Sequence, residues 1–372
     1  MSEHGGNIYA ASQRTGIPER RIVDFSASIN PLGVPEGAVR LMRRRIKDLP
    51  HYPEPLSEGL SARIAACLGV GEASVVCGNG STELIYLIPR ALKPEKVLIP
   101  SPTFGDYERA CRHSGAAEVV FYSLRPENSF DLSPEGFIEA MSATAPPAEA
   151  TGSPAVRAPK PCSLAFLCNP NNPTGRLVRK RDLLKIAEAA VDLSCHLVVD
   201  EAFIDFCPAE SVAGEVPSHP SLIVLRSMTK FYALSGLRIG YGLFHPSVAG
   251  RIRAYKEPWT VNSLAQAAGL AVLEDGPYQE ASREAMEREK VFMEEGLRKI
   301  GIPFIPSRAN YYLLKVKDGP QVAALLEKKG ILVRDCSSFG GLDRTYVRVA
   351  VRGRADNQRL LKEMAVICTP SS

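Results

Sequence analysis

The stretch 227–242, SMTKFYALSGLRIGYG, joins two short apolar runs, LIVLR (222–226) and IGYGLF (239–244), and places one lysine, Lys230, between Ser227 and Arg238. A buried ammonium is costly to desolvate unless it is paired, neutralised or consumed in a bond. The flanking runs therefore decide two things together: what sheet they belong to, and what the lysine does there. Working outward, similar runs recur as SVVCG (74–78), KVLIP (96–100), EVVFY (118–122), LAFLC (164–168) and HLVVD (196–200), each followed by a longer helical pattern. Near-continuous apolar runs of this length read as strands buried on both faces, and their alternation with helices predicts an α/β fold around a mostly parallel, seven-stranded sheet flanked by helices.

After Leu264 the texture changes. A long charged helix through ASREAMEREKVFMEEGLRKIG (281–301) leads into ILVRD (331–335) and TYVRVAV (345–351), which predicts a smaller α+β domain. The expected organisation is an amino-terminal segment, 1–45, contributing to the substrate site and the smaller domain; a large domain, 46–263; and a small carboxy-terminal domain, 264–372. Ser142 to Pro161 is rich in Ala and Pro and reads as a surface loop.

Composition narrows the function. A chain of 372 residues, 45% apolar and 23% charged, is long enough for a large core. The net charge is only +4 and basic runs such as Arg43-Arg44-Arg45 are short, which argues against a nucleic-acid partner. Nine cysteines without a C-x-x-C pair read as reduced core thiols, with no metal site expected. No stretch reaches the apolar length of a membrane span, so a cytoplasmic protein without a membrane partner is expected.

Ligands of parallel sheets gather beyond the carboxyl ends of strands, and the candidate residues sit where the apolar runs stop. In CGNGSTELIYL (77–87), the backbone N–H groups of Gly80, Ser81 and Thr82 at a helix start form a candidate anion cradle, although a serine there also serves as a plain helix cap. NPNNPTG (169–175) is a turn dense enough in Asn, Pro and Gly to hold Asn172 against a ligand. Asp200 closes HLVVD, where apolar surroundings raise a carboxyl pKa unless a cation answers it, or where it caps a helix. A lysine able to form a Schiff base, a carboxylate for a pyridinium nitrogen, a positioned amide and a phosphate site made with Ser227 and Arg238 together suit pyridoxal 5'-phosphate.

NPNNPTG, DEAF (200–203) and SMTKFYALSGLRIGYG, at these separations, resemble the fold-type I pyridoxal-phosphate enzymes of the aminotransferase class I and II group. The resemblance implies Lys230 as the Schiff-base lysine, Asp200 at the pyridine nitrogen, Asn172 on the ring oxygen and Phe104, in SPTFGDYE, stacked on the ring. It also implies a homodimer in which Tyr52, in HYPEP, reaches the cofactor phosphate of the neighbouring subunit. Within the group, HGGN (4–7), DFSASINPLG (24–33) and YPEP (52–55) look most like the threonine-phosphate decarboxylases of cobalamin biosynthesis, with the histidinol-phosphate aminotransferases next. The implied reaction is decarboxylation of O-phospho-L-threonine to (R)-1-amino-2-propanol O-2-phosphate. Transamination of histidinol phosphate is the alternative, and a non-catalytic regulator that binds the cofactor is a distant one.

A small phosphorylated amino acid needs fixed cations. Arg334 in ILVRDCSSF and Arg348 in TYVRVAV supply them, each inside an apolar pattern where an unpaired guanidinium is costly, with a structural ion pair as the plain reading. His4 and Asn30 are expected to join them at the substrate. Many aminotransferases of the group carry a tyrosine where this chain has Phe203, which removes one donor to the ring oxygen and mildly favours the decarboxylase.

Overall fold

A computed structural model describes residues 5–116, 118–143 and 160–368. A short strand, β1 (Val23–Asp24), precedes the central sheet of β2 (Val75–Gly78), β3 (Lys96–Ser101), β4 (Glu118–Ser123), β5 (Leu164–Cys168), β6 (His196–Asp200), β7 (Leu222–Ser227) and β8 (Gly240–Leu243). These are the seven apolar runs of the sequence. Their order is β2-β8-β7-β6-β5-β3-β4, parallel throughout except for β8, which runs antiparallel to β2 and β7. Both faces of the inner strands are covered: Leu197 and Val199 point into one apolar layer, Val198 and Ile223 into the other. Edge strand β4 differs. It has one neighbour, and Phe121 is 47% exposed.

The second lobe is a three-stranded sheet of β9 (Tyr311–Lys315), β11 (Arg334–Asp335) and β12 (Tyr346–Ala350), while β10 (Ile331–Leu332) pairs with β1. That pairing ties the amino-terminal segment to this lobe, and Phe25 is buried in its core beside Met286 and Tyr312. The helix Ser263–Leu273 packs otherwise: Ala265, Ala268 and Val272 are buried in the core of the large sheet. The start of the smaller domain expected at residue 264 therefore divides an element that packs with the larger lobe. We propose the long helix Gly276–Lys299 as the division, because its Met286, Met293 and Leu297 belong to the second core. The expected surface loop of Ser142 to Pro161 lies almost wholly outside the described residues. No described helix is long and apolar enough to cross a membrane. Among the described residues no cluster of three or more His, Cys, Asp or Glu is arranged to hold a metal ion.

Candidate active site

Register places the strand ends side by side. Cys168 of β5 lies opposite Asp200 of β6, and Asp200 opposite Leu225 of β7, so the turns carrying Asn172, Asp200 and Lys230 leave the sheet along one edge. They open into a cavity of about 1300 Å³ between the lobes. Thirteen candidate positions other than Lys230 came from the sequence, and nine of them line this cavity along with the lysine, Gly80, Tyr52, Asn30 and His4 being accounted for separately below.

The anion cradle is built by crowding. Gly80 caps the helix Ser81–Leu92 with a φ of 74°, and a Cβ there would overlap the Arg238 guanidinium. The φ calls for glycine, and any side chain there would displace the Arg238 guanidinium. A Cβ on Gly240 would come within 2.5 Å of the Ser81 amide nitrogen. The helix start is thus pressed against β8, with the side chains of Ser81 and Thr82 on the cavity. Arg238 donates to the Ser235 carbonyl at 3.1 Å, and no carboxylate pairs with it among the described residues. Ser227 and Thr229 share a hydroxyl hydrogen bond of 2.7 Å on the same wall. A helix N-terminus, a guanidinium without a counter-ion and two hydroxyls make a site for a phosphate dianion.

Across the cavity, Asp200 is buried. Its carboxylate accepts from the Tyr107 hydroxyl at 2.8 Å and the Ala202 amide at 3.0 Å. Burial raises its pKa to about 6 against the pull of these donors. Lys230 moves the opposite way, pushed down to about 8 by burial and then by the Arg348 and Arg238 guanidiniums. Burial disfavours each charge, and a ligand that brings a cation to Asp200 and a carbonyl to Lys230 removes both costs. Asn172 accepts a hydrogen bond from Arg348 Nη1 through its side-chain oxygen. Arginine can only donate, so the amide orientation is fixed and Asn172 Nδ2 remains as the donor toward the cavity. Phe104 also lines it, its ring 5.6 Å from that of Tyr107. These groups fit pyridoxal phosphate at phosphate, ring nitrogen, ring oxygen and carbonyl carbon.

Arg334 and Arg348 face each other across the β11–β12 ladder and both line the cavity. Arg348 is buried, donates to the Ser26 carbonyl at 2.7 Å and lies 5.0 Å over the Tyr311 ring. Arg334 donates to Ser338 at 3.0 Å and lies over Phe339, in the loop that forms the cavity mouth.

Asn30 is a correction. Its side-chain amide donates to the Phe231 carbonyl, Tyr278 and Ser282, and it does not line the cavity. Buried polar groups take the partners nearest to hand, and these leave none of its donors for a substrate. Its backbone amide donates to the Lys230 carbonyl at 3.0 Å, so it supports the lysine from below. Tyr52 is 84% exposed and outside the cavity, its ring 5.3 Å from that of Trp259. His4 lies outside the described residues; the neighbouring Gly5 lines the cavity. Sequence reasoning missed Tyr107 and Thr229. The signal for Tyr107 was its place three residues after Phe104, and for Thr229 a second hydroxyl beside the lysine.

The chain is similar over nearly its full length to proteins of known activity. It is 36% identical over 374 residues to the threonine-phosphate decarboxylase of Salmonella typhimurium, covering 99% of this chain and 97% of that one. To the histidinol-phosphate aminotransferase of Methanothermobacter thermautotrophicus it is 33% identical, covering 96% and 92%. The crystal structure of L-threonine-O-3-phosphate decarboxylase from Porphyromonas gingivalis superposes with a TM-score of 0.78 at 27% identity, covering 93% of this chain and 99% of that one. The model of the aminotransferase class I and II family matches residues 20–364. The chain therefore belongs to that family, whose cofactor is pyridoxal 5'-phosphate.

Proposed function

We propose that this protein decarboxylates O-phospho-L-threonine to (R)-1-amino-2-propanol O-2-phosphate, a step of cobalamin biosynthesis. The observation that carries the reading is the pair Arg334 and Arg348, register partners that open into the cavity of Lys230. Two fixed cations suit a substrate with a carboxylate at one end and a phosphate at the other. Arg348 lies nearer the chemistry, since it hydrogen-bonds Asn172 and depresses the Lys230 pKa, and we assign it the carboxylate. Arg334, beside the mouth loop, takes the phosphate ester.

The cofactor supplies an electron sink for whichever Cα bond stands perpendicular to its ring. The protein decides which bond that is. Arg348 would hold the carboxylate out of the ring plane, so that carbon dioxide is the group lost. Phe104 would pack on the ring face, Asn172 Nδ2 would donate to the ring oxygen, and Asp200 would keep the ring nitrogen protonated. Ser81, Thr82, Ser227 and Arg238 would hold the cofactor phosphate, with Thr229 steadying Ser227. Lys230, with its lowered pKa, can shed and regain a proton near neutral pH and would deliver one to Cα after carbon dioxide leaves.

We also propose a homodimer. Tyr52 and Trp259 present adjoining, exposed rings, and Trp259 keeps a φ of 63°, a strained setting for a bulky residue. A second copy covering them would let Tyr52 reach the partner's cofactor phosphate.

Incubation with phosphothreonine and no keto acid should release carbon dioxide, and borohydride should fix the cofactor to residue 230. Transamination of histidinol phosphate is the second reading. Turnover that requires 2-oxoglutarate, with no carbon dioxide from phosphothreonine, would establish that activity instead.

A further inference from the structure

On the face of the sheet away from the cofactor groups lies a buried cluster of charge that the chemistry above does not use. Glu201 follows Asp200 at the end of β6, and Arg226 precedes Ser227 at the end of β7. Neighbouring residues of a strand point to opposite faces, so Glu201 and Arg226 lie behind Asp200 and Ser227, the residues assigned to the cofactor. Arg226 Nη1 donates to Glu201 at 3.0 Å and its Nη2 to Asp205. The Glu201 side chain is 0% exposed and also accepts from the Ser211 hydroxyl and the Val212 amide, each at 2.7 Å. Arg283, from the long helix, donates to the Asp205 carbonyl and covers the ring of Phe231, the residue after Lys230.

We propose that the Glu201–Arg226–Asp205 cluster positions the cofactor site, clamping the ends of β6 and β7 so that Asp200 and Ser227 address the two ends of one ligand. The argument is geometric. Between these strand ends the last backbone bond runs from the Glu201 amide to the Leu225 carbonyl at 2.8 Å, and beyond it the chains diverge into separate turns. The two-pronged guanidinium bridges them there, with Glu201 on one prong and the turn that follows Asp200, through Asp205, on the other. A Cβ on Gly240 would lie 2.7 Å from the Arg226 carbonyl, so β8 packs close against the backbone of this residue only because glycine stands there. The spacing between pyridine-nitrogen partner and phosphate ligand is thereby set from behind.

The inference rests on the cofactor reading above, and the test separates the two. If the wild-type holoenzyme carries no cofactor on Lys230, that reading fails before the clamp is reached. Given a loaded wild type, the variants are Arg226→Lys, which keeps the charge and loses the fork, and Asp205→Asn at the cluster's rim. Apo protein of each is titrated with pyridoxal phosphate, and the circular dichroism of the bound cofactor band is recorded with the apo unfolding midpoint. Arg226→Lys should weaken cofactor binding at least tenfold and diminish the cofactor's dichroic band. Asp205→Asn should weaken binding two- to fivefold while the far-ultraviolet spectrum is unchanged. Folded variants that bind within twofold of wild type with a full dichroic band would overturn the clamp. Should Arg226→Lys fail to fold, Asp205→Asn alone decides, an unchanged affinity and band counting against the proposal.

Discussion

Arg226 and Arg348 are buried in strands of the same chain to nearly the same depth, 7% exposed each. They differ in what answers their charge. Arg226 meets two carboxylates, Glu201 and Asp205. Arg348 meets an amide oxygen, a backbone carbonyl and the face of a tyrosine, and among the described residues no carboxylate pairs with it. The first is an ion pair completed within the fold. The second is held by neutral acceptors that cannot neutralise it, which is why we propose that its counter-ion is the substrate's carboxylate.

That contrast separates stability from activity. Arg226→Met strands Glu201 and Asp205 without their cation, and removing one partner of a buried pair costs about 3–5 kcal/mol. A denaturant midpoint with an unchanged slope should record the loss. Arg348→Met strands no carboxylate, only the neutral acceptors on Asn172 and Ser26, so the stability loss should be the smaller one, about 1–3 kcal/mol, while kcat/KM for phosphothreonine should fall by about 2–5 kcal/mol of transition-state binding. If Arg348→Met unfolds the protein as readily as Arg226→Met does, the distinction between the two arginines is wrong.

The sequence disclosed the second arginine and hid the first. Arg348 stands in the middle of an apolar pattern, where a charge is conspicuous. Arg226 ends LIVLR and looks like a residue at a strand's exit to solvent; its partner Glu201 ends the neighbouring strand, and only the pairing of β6 with β7 brings them together. The seven strands were legible because burial on both faces leaves an apolar run, and the candidates that line the cavity because they stop those runs. Asn30 was misread for the opposite reason: its partners Phe231 and Ser282 lie 201 and 252 residues away, and no local pattern announces them. Tyr107 sits inside a quoted stretch, yet its bond to Asp200 spans 93 residues. The helix Ser263–Leu273 follows the change in texture but packs with the sheet before it, which is why we propose a later lobe boundary than the texture suggests.

Asp200 extends the contrast to pH. Its folded pKa, about 6, lies above its ordinary value of 3.8, so the unfolded chain gives up the proton first. As pH rises from 4 through 6 the folded, cofactor-free protein loses stability relative to the unfolded chain, and above 6 the full deficit of roughly 2–3 kcal/mol is present. Asp200→Asn cannot ionise. Cofactor-free wild type should therefore fall behind Asp200→Asn between pH 4 and pH 7, and parallel stability curves would show that this carboxylate is not held at a cost. Activity should move the other way, with Asp200→Asn crippled at every pH.

The smallest expected effect concerns Phe203. Its ring is buried, lines the cavity and stands edge-on to Tyr311 at 5.0 Å, three residues past Asp200. With phenylalanine there, Asn172 is the donor we assign to the cofactor's ring oxygen. A second donor would stabilise the negative charge on that oxygen and lower the pH at which the bound cofactor's absorption changes. Phe203→Tyr adds one hydroxyl at the ring edge, and the midpoint should drop by about one unit, near 1.4 kcal/mol, with stability altered little. Because Arg348 already fixes the Asn172 amide, the shift should be the same in an Asn172→Asp background only if the new phenol acts on the cofactor directly. A midpoint unmoved in Phe203→Tyr would mean that the ring edge faces away from that oxygen, and the assignment of Asn172 Nδ2 as its donor would then need a cavity oriented differently from the one bounded by Phe104, Asp200 and Lys230.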